Sequence, residues 1–235
     1  GIEESFCVVG KSWSEGKVKG IVWGDSHSQH WAQVLDLQAK ANEISLIIGP
    51  RKCPAYLEAE QVRSHYPRYP NFSEDCRDRN KKVLDWLSKN PDVDLVILAA
   101  AWSGHARMSY SKEAPHNYSS LSLEAKSASK GVEAINPAFE KLMQNLKNRN
   151  VLLLADIPRP NKILNECAFS EDTWLLRSKC DESDYKVLNS KQILNWHAPT
   201  DEFLKSVAQL YSNAVAIIPT ETLCGNEICS TYVNG

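Results

Sequence analysis

Five short, unbroken apolar runs constrain this chain more than any other feature: Gly20–Trp23 (GIVW), Ile44–Ile48 (ISLII), Leu95–Ala100 (LVILAA), Val151–Ala155 (VLLLA) and Val215–Ile218 (VAII). Each is continuous rather than alternating, and each ends near Gly, Pro, Asp or Ser. Runs of this kind suit strands covered on both faces. Helical spacing fills the gaps. Trp31, Val34, Leu35 and Gln38 mark one helix, Val83, Leu84 and Leu87 a second. Phe139, Leu142, Met143 and Leu146 mark a third, and Phe203, Leu204, Val207 and Tyr211 a fourth;. Strands alternating with helices imply an α/β fold: a three-layer α/β/α sandwich around a five-stranded parallel sheet. Reactive groups then gather beyond the carboxyl ends of the strands.

Two stretches break the rhythm, residues 105–132 (Ser-rich and polar) and residues 159–200, and they read as long irregular insertions;. The first is read as a flap near the site or as plain disorder. Neither marks a domain boundary, so residues 1–235 read as a single domain. No run approaches the roughly 18 residues of a membrane span, so the chain itself is expected to be soluble. It begins at Gly1, without Met, as a fragment or processed piece of a larger protein would. A net charge of −2 gives no argument for a nucleic-acid partner;.

Of the seven cysteines, none forms a zinc-like set of C-x-x-C pairs, so no metal is expected;. Several lie in polar, loop-like sequence, which favours disulfides and an oxidising compartment. The sequence does not fix connectivity. The local pairs Cys53–Cys76, Cys167–Cys180 and Cys224–Cys229 are expected, against the alternative that some are buried thiols. Cys7 is left over, either free or with a partner outside the chain.

The first apolar run leads into Gly24-Asp25-Ser26-His27. Gly24 permits a sharp turn. Ser26 falls at the start of the first helix, where unpaired backbone N–H groups stabilise a developing oxyanion. The competing reading is that Asp25 and Ser26 only cap that helix. His105, just past the third run, is a candidate pocket residue and the best in-chain candidate for a base. His27 and His30 follow the serine too closely; His65 and His116 sit in polar loops. His197 and Asp201 have the wrong order and spacing for a catalytic pair, and Asp201 reads as a helix start.

This turn resembles the first signature of the SGNH (GDSL-like) hydrolase superfamily. With His30-Trp31 after it, it resembles more particularly the SGNH domain fused to bacterial membrane acyltransferase-3 proteins of the O-antigen acetyltransferase type. Pro50–Pro54 with its cysteine, Leu98–Trp102, Ala155–Pro160 and the Cys224–Cys229 loop agree in order along residues 7–235. The resemblance implies a flavodoxin-like strand arrangement and Ser26 as nucleophile. It implies an oxyanion hole from the N–H groups of Ser26 and Gly49. The family's third-block Asn is absent. Trp102 stands in that region, as a pocket residue or a core aromatic.

The resemblance further implies a base and its partner in an Asp-x-x-His pair, expected just beyond Gly235, and no such pair occurs in the 235 residues. It also implies a larger membrane protein carrying an integral-membrane acyltransferase domain, with this domain on the periplasmic face of the inner membrane. Acetyl-CoA would be the ultimate donor, with no cofactor in this domain, and lipopolysaccharide or another surface polysaccharide the acceptor. An SGNH esterase that removes acetyl groups and a non-catalytic glycan-binding module are the alternatives.

Overall fold

The computed structural model describes residues 6–49, 52–56, 59–61, 70–110, 126–158, 188–225 and 228–229. Contacts divide the chain into two compact units. The first holds residues 1–156 and 199–217, the second residues 157–198 and 218–235.

The first unit is built on one six-stranded sheet. Its strands in chain order are β1 (Cys7–Gly10), β2 (Val18–Gly24), β3 (Ile44–Ile48), β5 (Val93–Ala99), β7 (Asn150–Leu154) and β9 (Ala214–Ile217). Their spatial order is β1-β3-β2-β5-β7-β9. The last five are mutually parallel, each centred on one of the five apolar runs. The sixth, β1, runs antiparallel to β3 at the edge. Its four residues are half-buried or exposed, so no apolar run announced it.

Helices cover both faces. The connections from β2 to β3 and from β3 to β5 run in opposite directions along the sheet, and right-handed crossovers place their helices on opposite sides;. On one side α1 (Ala32–Ala41) sets Leu35 and Ala39 against Val22, Leu46, Ile48, Ile97, Ala99 and Leu154. On the other, α2 (Phe72–Lys89) reaches the sheet through Asn80, whose Oδ1 accepts from Trp23 Nε1 at 3.1 Å. Asn80 Nδ2 donates to the carbonyls of Pro54 (2.9 Å) and Tyr56 (2.7 Å), so every proton of this buried amide has an acceptor;. The Cys53–Cys76 disulfide packs on Phe72 beside this junction.

Two helices overlap the ends of the stretch 105–132 that read as irregular, and the second of them carries the expected Phe139–Met143 pattern. α3 (Trp102–Met108) follows β5, and the short β6 (Ser109–Tyr110) pairs with β4 (Glu60–Gln61). α4 (Ala128–Asn145) opens on Ser127, whose side chain caps Lys130 N. Its inner face, Ile135, Phe139, Leu142 and Met143, continues into an edge-to-face stack of Trp102, Phe139 and Phe203. Residues 111–125 lie outside the described residues.

α5 (Ser190–Leu210) starts well before Asp201 and runs through Pro199. Its residues up to Ala198 belong to the second unit. That unit also holds β8 (Leu188–Asn189) paired with β10 (Ile228–Cys229), α6 (Pro219–Leu223) and the Cys224–Cys229 disulfide. Cys167 and Cys180 lie outside the described residues.

Candidate active site

β2 ends on Gly24 for a reason of packing. A Cβ on Gly24 would sit 1.6 Å from the Ala99 carbonyl oxygen of β5, so no other residue lets the two strands meet. Positive φ is confined to Gly10 and Glu43 among the described residues, so the expected freedom to turn sharply is not what Gly24 supplies. The chain then enters a six-residue 3-10 helix, Ser26–Trp31, before α1, rather than an α-helix directly.

Asp25 pins this turn. Its Oδ1 accepts from His27 N at 2.8 Å, the N-cap bond. Its Oδ2 accepts from Ala101 N at 3.1 Å and from His105 Nε2 at 2.7 Å. The carboxylate therefore ties the ends of β2 and β5 together at the point where the strand order reverses, the usual position of a site in such sheets. Burial by itself raises the Asp25 pKa. The His105 hydrogen bond and charge, with the Ala101 and His27 amides, outweigh it and hold the carboxyl at about 2;.

Ser26 is exposed, and neither its hydroxyl nor its N–H makes a hydrogen bond among the described residues. The other expected site residues sit elsewhere. Gly49 N–H donates to Val22 O at 2.8 Å, closing the β2–β3 ladder, so it is not open as an oxyanion donor. Trp102 is 1% exposed; it donates from Nε1 to Leu154 O at 2.7 Å and stacks on Phe139. It is a core aromatic, not a pocket wall. Nearby amides are also committed: Trp102 N to Ala100 O, and Ser103 N to Asp156 Oδ2.

His105 is equally buried, and both ring nitrogens are engaged, Nε2 by Asp25 and Nδ1 by Gln61 Oε1 at 3.3 Å. It cannot take a proton from an exposed serine. Its role lies beneath the turn, which sequence reasoning did not assign. Gln61, on a two-residue strand between stretches outside the described residues, gave no signal at all. His27 Nδ1 stands 3.6 Å from Asp156 Oδ1 at the end of β7, a second contact joining the serine turn to a strand end. His65 and His116 lie outside the described residues.

With this geometry in view, the chain's class is clear: it belongs to the SGNH domain family, in the form fused to AT3 domains, whose family model matches residues 2–235. No curated protein matches it in sequence. Among solved structures it is similar to the periplasmic domain of the lipopolysaccharide acetyltransferase of Salmonella ser. Paratyphi A. The identity is 14%, the TM-score 0.51, and the match covers 94% of this chain and 74% of that one. At that identity the likeness concerns the fold.

Proposed function

We propose that this chain is the periplasmic O-acetyltransferase domain of a larger membrane acyltransferase, and that Ser26 carries the acetyl group. One observation carries the reading: at the carboxyl end of β2, on a turn pinned by Asp25, the hydroxyl and the amide of Ser26 are uncommitted among the described residues. Membership of a family fused to AT3 domains supports an attached integral-membrane acyltransferase domain as the source of acetyl. Similarity to a lipopolysaccharide acetyltransferase domain supports a bacterial surface polysaccharide as acceptor, and the disulfides fit an extracytoplasmic location;.

The chemistry is two acyl exchanges. Ser26 Oγ bonds to the acetyl carbon as the donor leaves with the serine proton. A sugar hydroxyl then attacks the same carbon, and Ser26 regains a proton. The Ser26 N–H stabilises the oxyanion in each step. His105 is too deeply engaged to act as base; the resemblance implies the His of an Asp-x-x-His pair for that role.

The test uses the full-length polypeptide in membranes, supplied with acetyl-labelled acetyl-CoA, quenched in acid and mapped by peptide mass. Label on Ser26, lost in Ser26→Ala and chased onto added polysaccharide, is the expected result. Chase into free acetate alone would assign an esterase. Polysaccharide acetylation that survives Ser26→Ala in cells would overturn the catalytic reading.

A further inference from the structure

We propose that His105 is carried as an imidazolium and serves as the positioning residue of the Ser26 turn, cancelling the buried charge of Asp25 beside the nucleophile. This rests on the catalytic reading of Ser26. Five buried side chains, Asp25, His105, Gln61, Tyr56 and Ser109, share the protons that decide the charge.

Ser109 Oγ donates to the His105 carbonyl at 2.8 Å, which uses the only proton on that hydroxyl. Ser109 Oγ must therefore accept from the Tyr56 hydroxyl, 2.8 Å away, and from Gln61 Nε2, 3.1 Å away. The Tyr56 oxygen also accepts from Gln61 Nε2. Both amide protons of Gln61 now point at hydroxyl oxygens, which leaves Oε1 facing His105 Nδ1. Turning the Gln61 amide over would set its oxygen against Ser109 Oγ with no proton between them, a buried mismatch. Gln61 Oε1 can only accept, so Nδ1 must donate. Nε2 faces the Asp25 carboxylate and donates as well. A histidine that donates from both nitrogens carries a full positive charge.

This matters because of what lies above it. A buried carboxylate adjoins the serine in the chain, and acyl transfer builds negative charge at that serine. Were His105 neutral, Asp25 would stand as an uncompensated anion in a low-dielectric setting and oppose the oxyanion. As an imidazolium, His105 makes the pair neutral while keeping Asp25 ionised to hold the His27 and Ala101 amides.

The test begins with the ring nitrogens of His105 in the 235-residue chain, nitrogen-15 labelled and assigned by backbone connectivity. At neutral pH both nitrogens are expected to carry slowly exchanging protons. A bare nitrogen there overturns the proposal. Gln61→Leu removes the acceptor at Nδ1. That variant is expected to lose the Nδ1 proton and to slow Ser26 acetylation by about tenfold, the equivalent of one lost buried hydrogen bond. A folded Gln61→Leu that keeps both protons and the full rate would equally defeat the idea. Should that variant fail to fold, the wild-type spectrum alone decides. If wild-type Ser26 takes no acetyl, the catalytic reading falls, while the ring spectrum still reports the charge.

Discussion

Replacing Asp25 with asparagine tests the pin beneath the serine turn in a form that can be worked through. The carboxyl pKa falls from 3.8 to about 2 in the folded protein. At about 1.4 kcal/mol for each tenfold change in acidity, the ionised form contributes about 2 kcal/mol to folding. The sign follows from the direction. A carboxyl whose folded pKa lies below its unfolded one stabilises the fold above pH 3.8, and that stabilisation disappears as pH drops toward 2. About half of it is gone by pH 3. Asparagine cannot reproduce the bonds, because its NH2 must face either the Ala101 and His105 donors or the His27 amide.

Urea denaturation of wild type and Asp25→Asn at pH 7, 5, 4 and 3 is the assay. The expected gap is at least about 2 kcal/mol at pH 7, narrowing by about 1 kcal/mol at pH 3. A gap of the same size at pH 7 and pH 3 would refute the argument, since Asp25 would then contribute through shape and not through charge.

Gly24→Ala forces a methyl group into the Ala99 carbonyl and should cost about 3 kcal/mol or more, read as a large drop in melting temperature;. Trp102→Phe keeps the aromatic stack but orphans the Leu154 carbonyl, and about 1–3 kcal/mol should be lost in urea melts;. Removing the Cys53–Cys76 bridge, which spans 23 residues, as Cys53→Ala with Cys76→Ala should cost about 3 kcal/mol, seen as a lower urea midpoint;.

The parallel core was legible because its strands are covered on both faces and so are written as continuous apolar runs. The edge strand Cys7–Gly10 has no such cover and left no mark. At the other edge, VAII reads like the inner runs, yet Val215 and Ile217 are exposed while Ala214 is buried; hydrophobic content alone does not reveal how much of a strand is covered. The helix Trp102–Met108 was missed because seven residues with Gly104 among them give too little periodicity. What places it is tertiary: Trp102 locks onto Leu154, and His105 onto Asp25.

The serine turn was visible as a turn, and Asp25 was visible as a cap. The 80-residue separation between Asp25 and His105 was not, nor was the placing of Gln61 beneath the ring. Histidine at a strand end suggests a base, but only burial distinguishes an open imidazole from one locked in a network.

The closeness of Gly24 to Ala99 and the three bonds held by Asp25 bear on how such signatures are to be trusted. Two of the three letters in Gly-Asp-Ser answer to architecture, and a descendant that had abandoned its reaction would still need them to stay folded. Only the third letter is free to drift when chemistry lapses. A relative that keeps the glycine and aspartate but has replaced the serine should be a sound scaffold with nothing left to transfer.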